Sequence, residues 1–383
     1  VSTTSQHQAS ATLPAAKSDF IGLRGALNLA SGGEPPMLIA HRMSFEQFCN
    51  DKAAGYAGYH RHWDVARQVR EQLGQFMHLP GEQIARLGNC SDAIARVVGS
   101  FDWQRSDNVV VSALDYASGR YALSGLQRHG VEVRLVPARG WNILPEDLLA
   151  RCDDHTRLVY VSQVTSLTGQ HLDIASLSEA LSLAHTALLV DASHALGVVP
   201  VRADLADFTV SSCYKFALGV HDGVLAWNQC RRPDFNPASA GWWSAEPGAD
   251  PLSFAPKPGA LRAEYGNVNH LGTYILRESL DYLAQFGIDQ IASHVRKLSG
   301  QLIEGMQSLG LEVITPISAN QRAASAAFVC HDMDIIRRAA ELGTLIWGDN
   351  NRVRASAHLF TSESDVAKFL EQLPALLSAK TST

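Results

Sequence analysis

The sequence predicts an α/β fold, with a large domain on a mostly parallel sheet followed by a small C-terminal α/β domain. Three observations carry this. Between about residues 85 and 230, short β-branched runs alternate with amphipathic stretches of helical period. Those runs are apolar at successive positions, as in strands covered on both faces. Past residue 270 the pattern turns helical, then resumes strand–helix alternation on a smaller scale. With 383 residues, 46% hydrophobic and 18% charged, the chain is long enough for more than one domain.

In order, the start "VSTTSQHQASATLPAAKSD" is small and polar. It lacks the basic and apolar regions of a secretory signal and reads as a loose arm over 1–26. The large domain is expected over 27–268. Its strands are "NVVVSAL" (108–114), "VEVRLVP" (131–137), "RLVYVSQV" (157–164), "ALLVD" (187–191) and "DFTVSSC" (207–213). Between them lie the helical stretches "SGRYALSGLQRHG", closed by Gly130, and "ASLSEALSLAHT", entered from Asp173. "GVLAWN" (223–228) follows too closely for a crossover helix, so it is expected antiparallel to its neighbour. The Pro- and Gly-rich region 231–268 reads as a long ordered loop. The small domain, 269–383, starts with the helices "LGTYILRESLDYLAQFG" and "IDQIASHVRKLSGQLIEGMQSLG". Strands "LEVITP" and "ASAAFVC", helix "MDIIRRAAELG", strand "NRVRASAHL" and helix "SESDVAKFLEQLPALLS" follow.

The formal charge of −6 gives no long-range pull on nucleic acid or anionic membrane. No run of 18 apolar residues suggests a membrane span. The six cysteines form no CxxC pair and read as reduced thiols of a cytoplasmic protein. "YHRHWD" (59–64) offers two histidines one residue apart, but no third ligand is placed, and no metal is expected.

The chemistry concentrates in "LLVDASHALGVVPVRADLADFTVSSCYKF" (188–216). Asp191 ends a strand, where ligands of an open parallel sheet bind. Its carboxylate can keep a ring nitrogen protonated, or it can simply cap a helix. Lys215 sits in apolar company, which suits Schiff-base chemistry, or it snorkels to solvent. "LGNCSDAIARVVGSF" (87–101) offers a helix start with Cys90 and Ser91 as an anion cup, or merely an N-cap. Tyr116 lies past a strand end, against a flat ring or packed in a loop. Arg352 and Arg354 share a strand face beside His358, and their guanidinium forks suit a carboxylate. The tryptophans of "GWWSAE" wall a pocket or pin their loop.

Taken together, "VDASHALGVVPVRADLADFTVSSCYKF" and "RASAHLFTSESDV" resemble the class V aminotransferase family of pyridoxal-phosphate enzymes, over about residues 27–372. That family includes cysteine desulfurases, selenocysteine lyases, kynureninases and isopenicillin-epimerase-like enzymes. The resemblance implies fold type I, with a mostly parallel seven-stranded sheet. It implies a Schiff base between Lys215 and pyridoxal 5'-phosphate, Asp191 on the pyridine nitrogen, and His194 near the phenolic oxygen or ring. Tyr116 would stack. Cys90 and Ser91 would serve the phosphate, with Ser212 and Tyr214 in reach. Arg354 would hold the substrate carboxylate. "EYGNVN" (264–269) is similar to the element that reaches a neighbouring subunit's cofactor, implying a homodimer with a shared active site.

Two departures stand out: Ser166 where many members have asparagine near the cofactor oxygen, and Asn267 where threonine is usual. A third bears on the reaction. The desulfurase cysteine should lie shortly before Arg354, yet "AAELGTLIWGDNNRVR" has none. The expectation is a lyase on an amino acid, cleaving C–S or C–C without a persulfide-forming cysteine. Aminotransferase or epimerase chemistry is the alternative, and a catalytically silent scaffold the third reading.

Overall fold

The computed structural model describes residues 11–182 and 185–378. Its strands are β1 (Leu27–Asn28), β2 (Ile84–Leu87), β3 (Asn108–Ser112), β4 (Glu132–Val136), β5 (Thr156–Ser162), β6 (Ala187–Asp191), β7 (Phe208–Ser212), β8 (Gly223–Trp227), β9 (Ala245–Pro247), β10 (Phe254–Pro256), β11 (Ser325–Val329), β12 (Thr344–Leu345), β13 (Trp347–Asp349) and β14 (Arg352–Ser356). Its helices are α1 (His41–Ala53), α2 (Gly55–Met77), α3 (Cys90–Val98), α4 (Ala117–Ser124), α5 (Pro145–Leu149), α6 (Ile174–Leu181), α7 (His270–Ala284), α8 (Ile288–Ser308), α9 (Ile335–Glu341) and α10 (Glu363–Ser378).

Seven strands form the main sheet in the order β2-β8-β7-β6-β5-β3-β4. The run from β4 to β7 is parallel, and β8 pairs antiparallel with both β7 and β2. Continuous apolar strands are explained by cover on both faces. Val111, Tyr160 and Leu189 pack against Ile94 and Val97 of α3 on one side. Val110, Val161 and Val190 pack against Leu148 of α5 and Leu177 of α6 on the other. Farther along that second face, α2 and α7 cover Ile84, Val224 and Ala226. Strand β4 is the sheet edge, and it carries the exposed Glu132 and the half-buried Arg134, paired at 2.9 Å, charges that discourage further pairing.

The C-terminal part is a three-stranded antiparallel sheet, β11-β14-β13, packed on α8, α9 and α10 through Leu298, Phe328, Val353 and Phe369. Strand β1 pairs with β12, so Leu27 and Asn28 join this unit, whereas α2 covers the main sheet.

Three sequence expectations meet a different local structure. The expected arm covers 1–26. Residues 1–10 lie outside the described residues, but Ala15, Phe20 and Leu23 are buried in a core with Phe216 and Phe360. Aromatic packing of Phe20 on Phe360 and Tyr282 holds that stretch down. "LEVITP" forms no strand beyond an isolated bridge between Val313 and Phe328. There the Thr315 hydroxyl accepts from the Ala327 amide at 2.8 Å, taking a ladder bond that the backbone would otherwise make. Within 231–268 the chain forms the small β9–β10 hairpin.

Candidate active site

The carboxyl ends of β3, β5, β6 and β7 open onto a cavity of about 250 Å3. Strand register brings Ser162 beside Asp191, so the ends lie level. Of the residues expected at the site, Cys90, Ser91, Tyr116, Ser166 and Asp191 line this cavity, with His194, Ser212, Tyr214 and Lys215. Arg354 lines an adjoining chamber of about 380 Å3 that shares Lys215, His194 and Ser166. Asn267 does not reach either. It is exposed and accepts from the Tyr59 hydroxyl at 3.0 Å.

Lys215 is 8% exposed, so it does not snorkel. Burial pushes its amine down to about 8. Its Nζ lies 3.0 Å from His194 Nε2. Burial, and next the Lys215 charge, hold His194 well below the usual imidazole range, so the ring is neutral, and Nε2 accepts from the amine in the tautomer that carries its proton on Nδ1. The turn that presents Lys215 continues through Leu218 at φ 59°, a left-handed conformation that a leucine adopts only under constraint.

Asp191 caps no helix. Its Oδ1 accepts from the Ser193 amide at 2.8 Å and its Oδ2 from the Tyr160 hydroxyl at 3.0 Å. Burial keeps Tyr160 protonated, so it can only donate here. Gly197 turns the chain after His194 at φ 96°. A Cβ there would sit 2.2 Å from the Phe216 carbonyl, so only glycine lets this turn lie against the lysine segment.

The opposite wall presents helix starts and hydroxyls, the donor set that suits an anion. Helix α3 starts with Asn89 as N-cap, accepting from the Asp92 amide at 2.8 Å, which aims the first free N–H groups at the cavity. Helix α4 starts beside it, and the Ser91 and Ser118 hydroxyls bond at 2.8 Å. Ser212 Oγ is buried with no partner among the described residues. Strand β8 passes directly behind the cup. A Cβ on Gly223 would sit 2.3 Å from the Asn89 carbonyl carbon. Gly223→Ala is therefore expected to destabilise by about 1–3 kcal/mol, read from the urea midpoint, and to weaken anion binding.

A buried amine of lowered basicity, a fixed carboxylate, an N-terminal anion cup and an unpaired hydroxyl fit pyridoxal phosphate. Each answers one of its groups: aldehyde, ring nitrogen and phosphate.

Several lining residues escaped sequence reasoning. Ser193 receives the Ser212 amide on its hydroxyl at 2.9 Å. His221 stacks on Tyr214 at 4.2 Å and 19°. Asp222 is buried against Arg86 at 2.6 Å. Other candidates turn out to be packing. Trp243 stacks on Trp63 at 3.7 Å and pins its loop. His62 stacks between Phe48 and His270, and His358 bonds the Phe216 carbonyl at 3.0 Å.

Comparison with known proteins identifies the family. The family model described as aminotransferase class-V matches residues 42–368. A probable cysteine desulfurase of Methanothermobacter thermautotrophicus is 27% identical over 75% of this chain and 73% of its own. A kynureninase of Myxococcus xanthus is 26% identical over 69% of this chain and 68% of its own. The apo structure of a cysteine desulfurase from Thermococcus onnurineus NA1 superposes with a TM-score of 0.88 at 18% identity, over 97% of this chain and 99% of its own. The family match covers most of the chain, and the residues at the strand ends suit the cofactor: this protein belongs to the aminotransferase class-V family of pyridoxal-phosphate-dependent enzymes.

Proposed function

We propose that the protein is a lyase that cleaves a C–S or C–C bond of an amino acid without a cysteine nucleophile. The observation that carries this is the loop bordering the substrate chamber. Residues 347–352 present Trp347, Asp349, Asn350 and Arg352 to it, and no cysteine. Cys90 lines the inner cavity, but burial holds its thiol well above the usual range, so it stays protonated and unreactive. The relatives named cysteine desulfurase and kynureninase favour bond cleavage over transamination.

Bound pyridoxal phosphate supplies an electron sink for the substrate α-carbon. The protein supplies the rest. Lys215 would hold the cofactor, and its Nζ would serve as the base for the α-proton. His194 holds that amine through Nε2. Asp191 holds a proton at the ring nitrogen. Arg354 receives the substrate carboxylate. In this reading residues 27–268 bind the cofactor and 269–383 complete the chamber. Asn267 lies too far out to serve its own cavity, which supports a homodimer with active sites shared between subunits. No helix of the described residues is long and apolar enough to cross a membrane.

The test is the product spectrum of the loaded enzyme with single amino acids. Pyruvate or alanine released without a keto-acid acceptor supports the lyase. Conversion of the cofactor to pyridoxamine phosphate would make it a transaminase. Racemised substrate alone would make it an epimerase. A separate check concerns Lys215. Only the free amine captures an aldehyde. Capture of pyridoxal phosphate by cofactor-free protein is expected to accelerate as pH rises, with its midpoint near the amine's value of about 8, and then level off. An ordinary lysine would still be accelerating at about pH 10.

A further inference from the structure

The outer chamber adjoins the cofactor cavity, and its walls carry three guanidinium groups, from Arg120, Arg352 and Arg354. Arg352 and Arg354 are two residues apart on β14, so they share a face, and each is 3% exposed. Burial and then the neighbouring Arg352 charge pull Arg354 down to about 9, a sign that this pair is short of anions. The carboxylates nearby do not make up the deficit. Asp349 pairs with Arg352 at 2.9 Å but is 44% exposed. Glu34 faces His221 at 3.8 Å. Asp115 spends both oxygens on the backbone amides of Ser112 and Ser162. Donors are left over. Nε and Nη1 of Arg352 and Nε of Arg354 are buried with no partner among the described residues. Arg120 makes a single bond, from Nε to the Asp115 carbonyl at 3.0 Å.

An α-carboxylate on Arg354 balances one guanidinium and leaves the others short. We propose that the substrate is an amino acid with a second anionic group on its side chain, read by Arg352 and Arg120 while Arg354 takes the α-carboxylate. A carboxylate and a sulfinate both offer the pair of oxygens that a guanidinium fork matches. A neutral side chain would leave the Arg352 Nε and Nη1 donors and the Arg120 guanidinium short of acceptors and is selected against. This inference rests on the pyridoxal-phosphate reading of the adjoining cavity.

The test is a titration of the pyridoxal-phosphate-loaded protein, following its visible absorbance, with L-aspartate, L-cysteine sulfinate, L-asparagine and L-alanine. Calorimetry with succinate and propionate gives a second readout that needs no reaction. One charge-assisted contact predicts that the acidic amino acids bind about 10- to 100-fold tighter than asparagine, and succinate tighter than propionate. Aspartate and sulfinate titrated side by side show which oxyanion is preferred. Arg352→Gln is expected to abolish the preference while weakening alanine far less, and Arg352→Lys to restore part of it. Arg120→Gln, at a half-buried position that folding tolerates better, is expected to lower the preference about threefold or more. A coloured protein that binds aspartate and asparagine alike, or variants that weaken both equally, would overturn the second anion and leave the cofactor reading intact. A protein that takes up no pyridoxal phosphate and responds to no amino acid would overturn both.

Discussion

Lys215→Ala is expected to abolish the borohydride-trappable chromophore and to lower turnover on the order of 10^4-fold, because the covalent anchor and the proton-moving base are one atom. The reading is an absorption spectrum before and after borohydride, with product release under single-turnover conditions. A visible, reducible band in the variant would show that another amine does this work. Lys215→Met separates chemistry from folding. Burial lowers the folded-state amine to about 8, below the ordinary 10.5 of the unfolded chain. Folding thus disfavours the protonated form. That penalty is full below about pH 8 and vanishes above the unfolded value. The cofactor-free Met variant should therefore be more stable than wild type at pH 7, on the order of 3 kcal/mol, and the gain should fade toward pH 10. Denaturant melts at the two pH values read this directly.

Asp191→Asn carries the second-largest effect. The amide keeps the shape: its one oxygen can still accept from the Ser193 amide, and its NH2 can donate to the Tyr160 hydroxyl once that hydroxyl turns to accept, so the fold should persist. It cannot hold a proton on a ring nitrogen, and loss of an opposing charge at that distance lowers such a nitrogen by about 1–3 pKa units. Turnover is expected to fall by about 10- to 1000-fold with cofactor still bound, and the visible band to shift in position. If turnover were unchanged, Asp191 would be a turn-former only, stabilising 191–193 through its bond to Ser193.

Much of this site could be read from the chain itself. Asp191 and Lys215 stand at the ends of apolar runs, and a parallel strand must deliver its last residue to the same edge as its neighbours. Six of the main-sheet strands were legible for the same reason: buried β-branched runs have few alternatives. Gly130 and Asp173 mark helix ends because a left-handed residue and a capping carboxylate act locally. Strand β2 was not legible. "IARL" is short and includes Arg86, an improbable core residue until Asp222 and the Glu264 loop are brought to it from more than a hundred residues away.

Composition and local pattern determined the α/β class, the strand ends that open onto the cavity, the helix start that lines it and the missing cysteine near Arg354. These depend on periodicity and on single residues at element boundaries, which neighbouring residues already decide. Only the tertiary structure decided that His194 holds the Lys215 amine, that Asp191 caps nothing, that Trp243 pins a loop while Trp347 walls the chamber, and that Arg120 joins Arg352 and Arg354. Each of those depends on burial and on contacts between distant segments. A side chain's protonation and its partners follow from the solvent and charges that folding places around it, and no local pattern records them.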